Sequence, residues 1–293
     1  MSLRPAAGGA ERLVPPEAAA QYGQGVEMRE VVVGGRAVRW RVEGRGPPLV
    51  CVAGLSGSWR WWLPVLPRIA EQFELHLLDL PRFSVIPRFG PADAAGWLGR
   101  WLDEAALVQP TLVGHSLGGL FAVQLVSSRP DAVDRLVLLD PVGVPTGWGT
   151  PREAIALALS LRTATPRFLP VLLGDALRWG SVSLLRGLAH AVAVDLTVEL
   201  GRIAVPTLVV WGGRDALVPV RLAPAWRDAI PGARLVVIER AGHVPMFEAP
   251  EELCAALLAF LGEEGANERG DLGRPGVVDG VGAVGDDGEP TRG

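Results

Sequence analysis

The chain has 293 residues and is 49% hydrophobic, enough to bury a large core, and α/β chains of about 200–250 residues commonly form one domain. Its formal net charge of −4 offers nucleic acid no basic surface. All 28 basic residues are arginine, which excludes a lysine Schiff base and any cofactor attached to lysine.

Residues 1–25 are rich in alanine, glycine and proline and lack the continuous apolar run of a signal peptide, so they read as a flexible N-terminal extension. Pro48–Val52 is an apolar strand pattern leading into the loop Ala53-Gly54-Leu55-Ser56-Gly57-Ser58-Trp59, with Trp61 and Trp62 close behind. Phe73–Asp79 is a second strand pattern, in which His76 reads as a buried or edge residue. Cys51 and Cys254 sit in apolar patterns and read as small core residues, not as a disulfide or metal ligands.

The most informative stretch is Leu112-Val113-Gly114-His115-Ser116-Leu117-Gly118-Gly119. Pro110–Val113 reads as a strand and Leu117–Ser128 as an apolar helix, so the turn between them is abrupt and carries a serine on a strained backbone. Gly114 and Gly118 let strand and helix approach while the Ser116 hydroxyl points outward. This is a nucleophile elbow. A hydroxyl becomes a nucleophile only with a base to take its proton and an acid to orient the base.

Candidates for both follow in order. Arg135–Asp140 is a strand ending in a carboxylate. From Val144 to Ala204 helical patterns replace strands, over Arg152–Leu161, Phe168–Trp179 and Val182–Val194. Val205–Trp211 is a strand broken by Gly212-Gly213, which puts Asp215 in the following loop, and Leu235–Ile238 is a strand followed by the loop Glu239–His243. Serine, acid and histidine thus come from three loops after three strands. Of the other histidines, His115 lies within the elbow and reads as structural or pocket-lining, and His190 sits on a helix. Residues 263–293 are glycine-rich without an aromatic residue and read as a flexible tail. No segment has the ~18 uninterrupted apolar residues of a membrane span, so the expectation is a cytoplasmic protein.

These motifs resemble the α/β-hydrolase superfamily over about residues 26–262, including the chain order Ser, Asp, His and the stretch Gly242-His243-Val244-Pro245-Met246-Phe247-Glu248 leading into a last helix. The resemblance implies an α/β-hydrolase fold, a mostly parallel twisted sheet flanked by helices, with residues 26–144 and 205–262 as core and 145–204 as an inserted helical cap. It implies Ser116 as nucleophile, His243 as general base and acid, and Asp215 as the orienting acid. Asp140 is the rival acid, since some members take theirs from that strand. The oxyanion hole would be the backbone N–H groups of Leu55 and Leu117. Relatives usually have His-Gly where this chain has Ala53-Gly54, and Asp-Leu-Pro-Gly-x-Gly-x-Ser where it has Asp79-Leu80-Pro81-Arg82-Phe83-Ser84.

The implied reaction is hydrolysis of a small or medium apolar carboxylic ester, lactone or thioester through an acyl-enzyme, with no cofactor and no metal. Carbon–carbon bond hydrolysis and cofactor-free perhydrolysis use the same three residues, and non-catalytic ligand binding on the same fold is the alternative of another class. Trp59, His115, Trp148, Phe168 and Leu172 are candidate pocket residues. Leu157, Leu173 and Trp179 are further apolar residues of the cap, and Arg60 and Arg82 are candidate clamps for a substrate carboxylate.

Overall fold

A computed structural model describes residues 27–82, 93–144 and 165–262. Eight strands form one sheet in the order β1-β2-β4-β3-β5-β6-β7-β8. They span Glu27–Val33 (β1), Arg36–Glu43 (β2), Pro48–Val52 (β3), Glu74–Leu78 (β4), Thr111–His115 (β5), Arg135–Leu139 (β6), Thr207–Gly212 (β7) and Arg234–Ile238 (β8). Pairing is antiparallel for β1–β2 and β2–β4 and parallel everywhere else.

The composition of each strand follows its place. The central strands are covered on both faces and read as unbroken apolar runs, as in Leu136–Leu139, where every side chain is buried. β1 and β2 alternate exposed and sheltered residues and carry Arg29, Glu30, Arg36 and Arg39, as befits the end of a sheet with one face in water.

The helices are Leu66–Ile69 (α1), Ala94–Glu104 (α2), Leu117–Ser128 (α3), Leu169–Trp179 (α4), Ser181–Ala193 (α5), Thr197–Leu200 (α6), Ala223–Ala229 (α7), Pro245–Glu248 (α8) and Pro250–Gly262 (α9). α3 is apolar almost all round, the composition of a helix buried on every side. It stops at Arg129 because Pro130 follows and disfavours helical geometry in the preceding residue. α2 is amphipathic: Trp97, Leu98, Trp101 and Leu102 face inward, and the Trp101 ring meets Trp40 of β2 edge-on at 5.2 Å.

Parallel pairing sets the location of the site. Val52 lies beside Gly114, His115 beside Leu139, Leu139 beside Val210, and Gly212 beside Ile238. The loops after β3, β5, β6, β7 and β8 therefore leave from one edge of the sheet, where ligands bind in open α/β sheets. Between β6 and β7 the described residues carry only helices, α4, α5 and α6. The helix expected over Arg152–Leu161, and both chain extensions, lie outside the described residues.

Candidate active site

β5 ends at His115, and the next residue turns the chain. Ser116 has φ 52 and ψ −117, a conformation that costs an L-residue about 1–3 kcal/mol and persists only where its surroundings enforce it. Here its N–H donates to the Leu139 carbonyl at 2.9 Å while its own carbonyl accepts from Leu120 inside α3. The space is as tight as the motif suggests. A Cβ on Gly114 would lie 2.7 Å from the Gly119 Cα, and one on Gly118 would lie 2.6 Å from the Val52 carbonyl oxygen.

From this turn a hydrogen-bonded chain runs inward. The Ser116 hydroxyl lies 3.0 Å from His243 Nε2, and His243 Nδ1 lies 2.7 Å from Asp215 Oδ2. Asp215 Oδ1 accepts the N–H groups of Leu217 and Val218, each at 2.8 Å, so the carboxylate is gripped from both sides. All three residues are over 90% buried. Asp140, the rival acid, points its Oδ1 at the Gly212 N–H instead, at 2.7 Å. Asp215 is therefore the carboxylate that meets His243.

The loops bearing acid and histidine are fastened to each other. Gly213 N–H donates to the Ile238 carbonyl at 2.9 Å and Arg214 N–H to that of Ala241 at 2.8 Å. A Cβ on Gly212 would fall 1.9 Å from the Gly242 carbonyl oxygen, so only glycine fits where the loops cross. Glu248 reaches back from α8 to accept the N–H groups of Gly242 and Val244. His115 is fully buried, and its Nε2 donates to the His243 carbonyl at 2.7 Å. Burial, helped by the nearby His243, lowers the His115 pKa to about 3, so it is a neutral brace for the histidine loop.

Leu117 opens α3, where no intrahelical acceptor exists for its N–H. The loop after β3 runs against the serine: a Cβ on Gly54 would lie 2.9 Å from the Ser116 Cβ. Leu55 follows in this loop, whose turn is closed by Gly57 N–H to the Gly54 carbonyl at 3.0 Å. Ala53 is buried at the start of the turn.

An aromatic row flanks the histidine. Trp61 packs 5.7 Å from His115, Phe168 meets Trp61 edge-on at 5.0 Å, and Phe247 lies 4.7 Å from Phe168. Trp59 is half-buried, with Arg41 stacked on its indole at 4.0 Å and Arg60 at 4.8 Å. Leu172 is half-buried and Trp179 fully buried, whereas Leu173 is 56% exposed and does not line a pocket from within α4. Trp148 and Leu157 lie outside the described residues. Arg60 and Arg82, candidates for a carboxylate clamp but read first as solvated surface arginines, both have partners within the protein. Arg60 lies 3.7 Å from Asp175, and Arg82 donates to the Arg178 carbonyl at 2.8 Å. His76 is a core residue that accepts from Trp40 Nε1 at 3.0 Å, and His190 packs beside Phe121 at 6.1 Å.

Sequence reasoning missed Asp175. It is buried on α4, accepts from the Ser58 hydroxyl at 2.6 Å and from Trp61 Nε1 at 3.0 Å, and so ties α4 to the loop after β3. Nothing in its local sequence announces partners more than 110 residues away. Among the described residues, Asp140, Asp215 and His243 form the one cluster with the dimensions of a metal site, and the hydrogen bonds above already occupy most of its donor atoms.

A family model described as "Alpha/beta hydrolase family" matches residues 49–256. The chain belongs to this family. The hydrolase is 30% identical over 249 residues to a pimeloyl-[acyl-carrier protein] methyl ester esterase of Aeromonas hydrophila subsp. hydrophila, a match covering 75% of this chain and 97% of that protein. It is also 30% identical over 272 residues to the dihydrolipoyllysine-residue acetyltransferase component of the acetoin cleaving system of Pseudomonas putida, covering 84% and 72% respectively. Among solved structures, a putative lipase from Acinetobacter baumannii AYE superposes with a TM-score of 0.72 at 22% identity, covering 86% of this chain and 96% of that one. No described helix of the hydrolase is long and apolar enough to cross a membrane.

Proposed function

We propose that this hydrolase is a serine esterase that cleaves a carboxylic ester with a small or medium apolar acyl group through an acyl-enzyme. The observation that carries this reading is the continuous chain from the Ser116 hydroxyl through His243 to Asp215, set at a strained turn. Relatives named as methyl ester esterases support the ester class, and the aromatic row of Trp61, Phe168 and Phe247 supports an apolar substrate.

The mechanism follows from the atoms. Asp215 accepts from Nδ1 of His243, which fixes the tautomer and leaves the Nε2 lone pair facing Ser116. His243 takes the hydroxyl proton as Ser116 Oγ attacks the ester carbonyl, and the imidazolium is stabilised by Asp215. The tetrahedral oxyanion is held by the N–H groups of Leu117 and Leu55, the first of them at the positive end of α3. The intermediate collapses to the acyl-enzyme as His243 passes the proton to the departing alkoxide, which leaves as the alcohol. Water, deprotonated by His243, then attacks the acyl-enzyme, and the acid is released with Ser116 restored. The cap role of residues 145–204 belongs to the same reading: Phe168, just ahead of α4, packs on Trp61, Asp175 of α4 accepts from Ser58, and His190 of α5 packs on Phe121 of α3.

A fluorophosphonate probe and p-nitrophenyl esters of rising acyl length test this directly. Covalent labelling that Ser116→Ala abolishes, with ester turnover falling about a thousandfold or more, is expected. Folded protein that neither labels nor turns over any ester, yet binds ligands, would transfer the chain to the non-catalytic class.

A further inference from the structure

Asp140, at the end of β6, is fully buried and has no part in the mechanism above. Its backbone sits at φ 44, held by its N–H to the Val210 carbonyl at 3.0 Å. Its Oδ1 accepts the Gly212 N–H, but no N–H or hydroxyl reaches the equally buried Oδ2. A buried carboxyl oxygen without a donor is costly if it bears charge.

Its neighbour explains the gap. Oxygen atoms of Asp140 and Asp215 and a ring nitrogen of His243 all lie within 4.8 Å of one another. The ionisable groups acting on Asp140 from the elements packed on it are Asp215, after β7, and Glu248, on α8, and both are acidic. Two buried carboxyls this close disfavour ionisation of both. Asp215 accepts two backbone N–H groups and the His243 ring, whereas Asp140 has a single N–H. Burial, reinforced by Asp215, accordingly holds the Asp140 carboxyl well above the usual carboxylate range.

We propose that Asp140 is a positioning residue for the triad, carrying the single proton of the Asp140–Asp215 pair on Oδ2 and donating it to the Asp215 carboxylate. This rests on the reading of Ser116, His243 and Asp215 as the catalytic set. The bond supplies a further donor that keeps Asp215 from turning away as His243 becomes an imidazolium. It also confines the pair to one negative charge. A metal ion in the same place would have to displace the His243–Asp215 bond, whereas a proton needs only the one oxygen left over.

Three readouts test it, two of them independent of turnover. The infrared difference spectrum of parent minus Asp140→Asn at pH 7 should contain the carbonyl band of a protonated carboxylic acid; its absence overturns the proposal. The folded Asp140 pKa lies above its unfolded value of about 3.9, so the parent alone loses stability as pH rises above about 4. The Tm difference, Asp140→Asn minus parent, should therefore grow between pH 4 and 8, and a flat difference overturns the proposal. Finally, Asp140→Leu should lower kcat at least tenfold with little change in KM, and Asp140→Asn, whose amide can donate to Asp215, should recover most of that loss. Equal loss in both variants overturns it, and if Asp140→Leu does not fold, the first two readouts decide. Failure of the triad reading would appear instead as no fluorophosphonate labelling, with the infrared and Tm results unaffected.

Discussion

Glycines decide the local geometry wherever two backbones meet at the site. Gly212→Ala would drive a Cβ into the Gly242 carbonyl oxygen, a rigid backbone atom, so the loops of Asp215 and His243 must separate. The expected cost is about 1–3 kcal/mol, read as a lower urea midpoint at unchanged m-value. His115 gives a pH signature. It is neutral in the folded protein down to about pH 3, whereas the unfolded residue takes up a proton near 6.5. The unfolded state thus binds more protons in that window, and stability falls as pH drops through it, by about 1.4 kcal/mol per pH unit for this one group. His115→Gln should flatten the acid side of a Tm–pH curve by that slope, measured by calorimetry. Ser116 and His243 were legible in the sequence because each sits in a loop of distinctive composition after an apolar strand. Asp215 was preferred over Asp140 only through the resemblance of its Gly-Gly-Arg-Asp loop, because both carboxylates follow strands at the same sheet edge. What separates them is which carboxylate faces His243 Nδ1, a matter of tertiary geometry.

At the scale of elements, α4 and the loop after β3 share one fastening. Asp175 is buried, accepts from Ser58 and Trp61, and is flanked by Arg60 and by the exposed Arg178. Asp175→Ala would leave a buried hydroxyl and an indole N–H without their acceptor. The expected loss is about 1–3 kcal/mol per orphaned group at most, seen in chemical denaturation. Because the same loop carries Leu55, kcat with p-nitrophenyl esters should fall as well. The periodicity that announced α3, α4 and α5 located them to within a residue, since each buries a face or the whole of itself. It said nothing of Asp175, because an acidic residue in an amphipathic helix looks solvated until its partners, far away in sequence, are folded against it. The same reason made Arg60 and Arg82 look like free cations.

For the molecule as a whole, the mostly parallel sheet was expected from the resemblance, and the parallel pairing gathers the loops at one edge; the order of the strands was not read from the sequence. The antiparallel end was not anticipated: β1 and β2 interleave charged residues with apolar ones, and Trp40 is lodged against Trp101 and His76. Trp101→Ala should therefore cost about 3–5 kcal/mol of global stability while leaving Ser116 reactive in whatever fraction stays folded. Ser116 and His243 stand 127 residues apart in the chain, and Asp215 and His243 stand 28 apart. No contiguous fragment brings the three together without the sheet between them. On the proposed function Ser116 is also a folding reporter: titrated with denaturant, the fraction of chains that a fluorophosphonate tags should trace the same curve as tryptophan fluorescence, giving a covalent count of native molecules in mixtures where spectroscopy is blind.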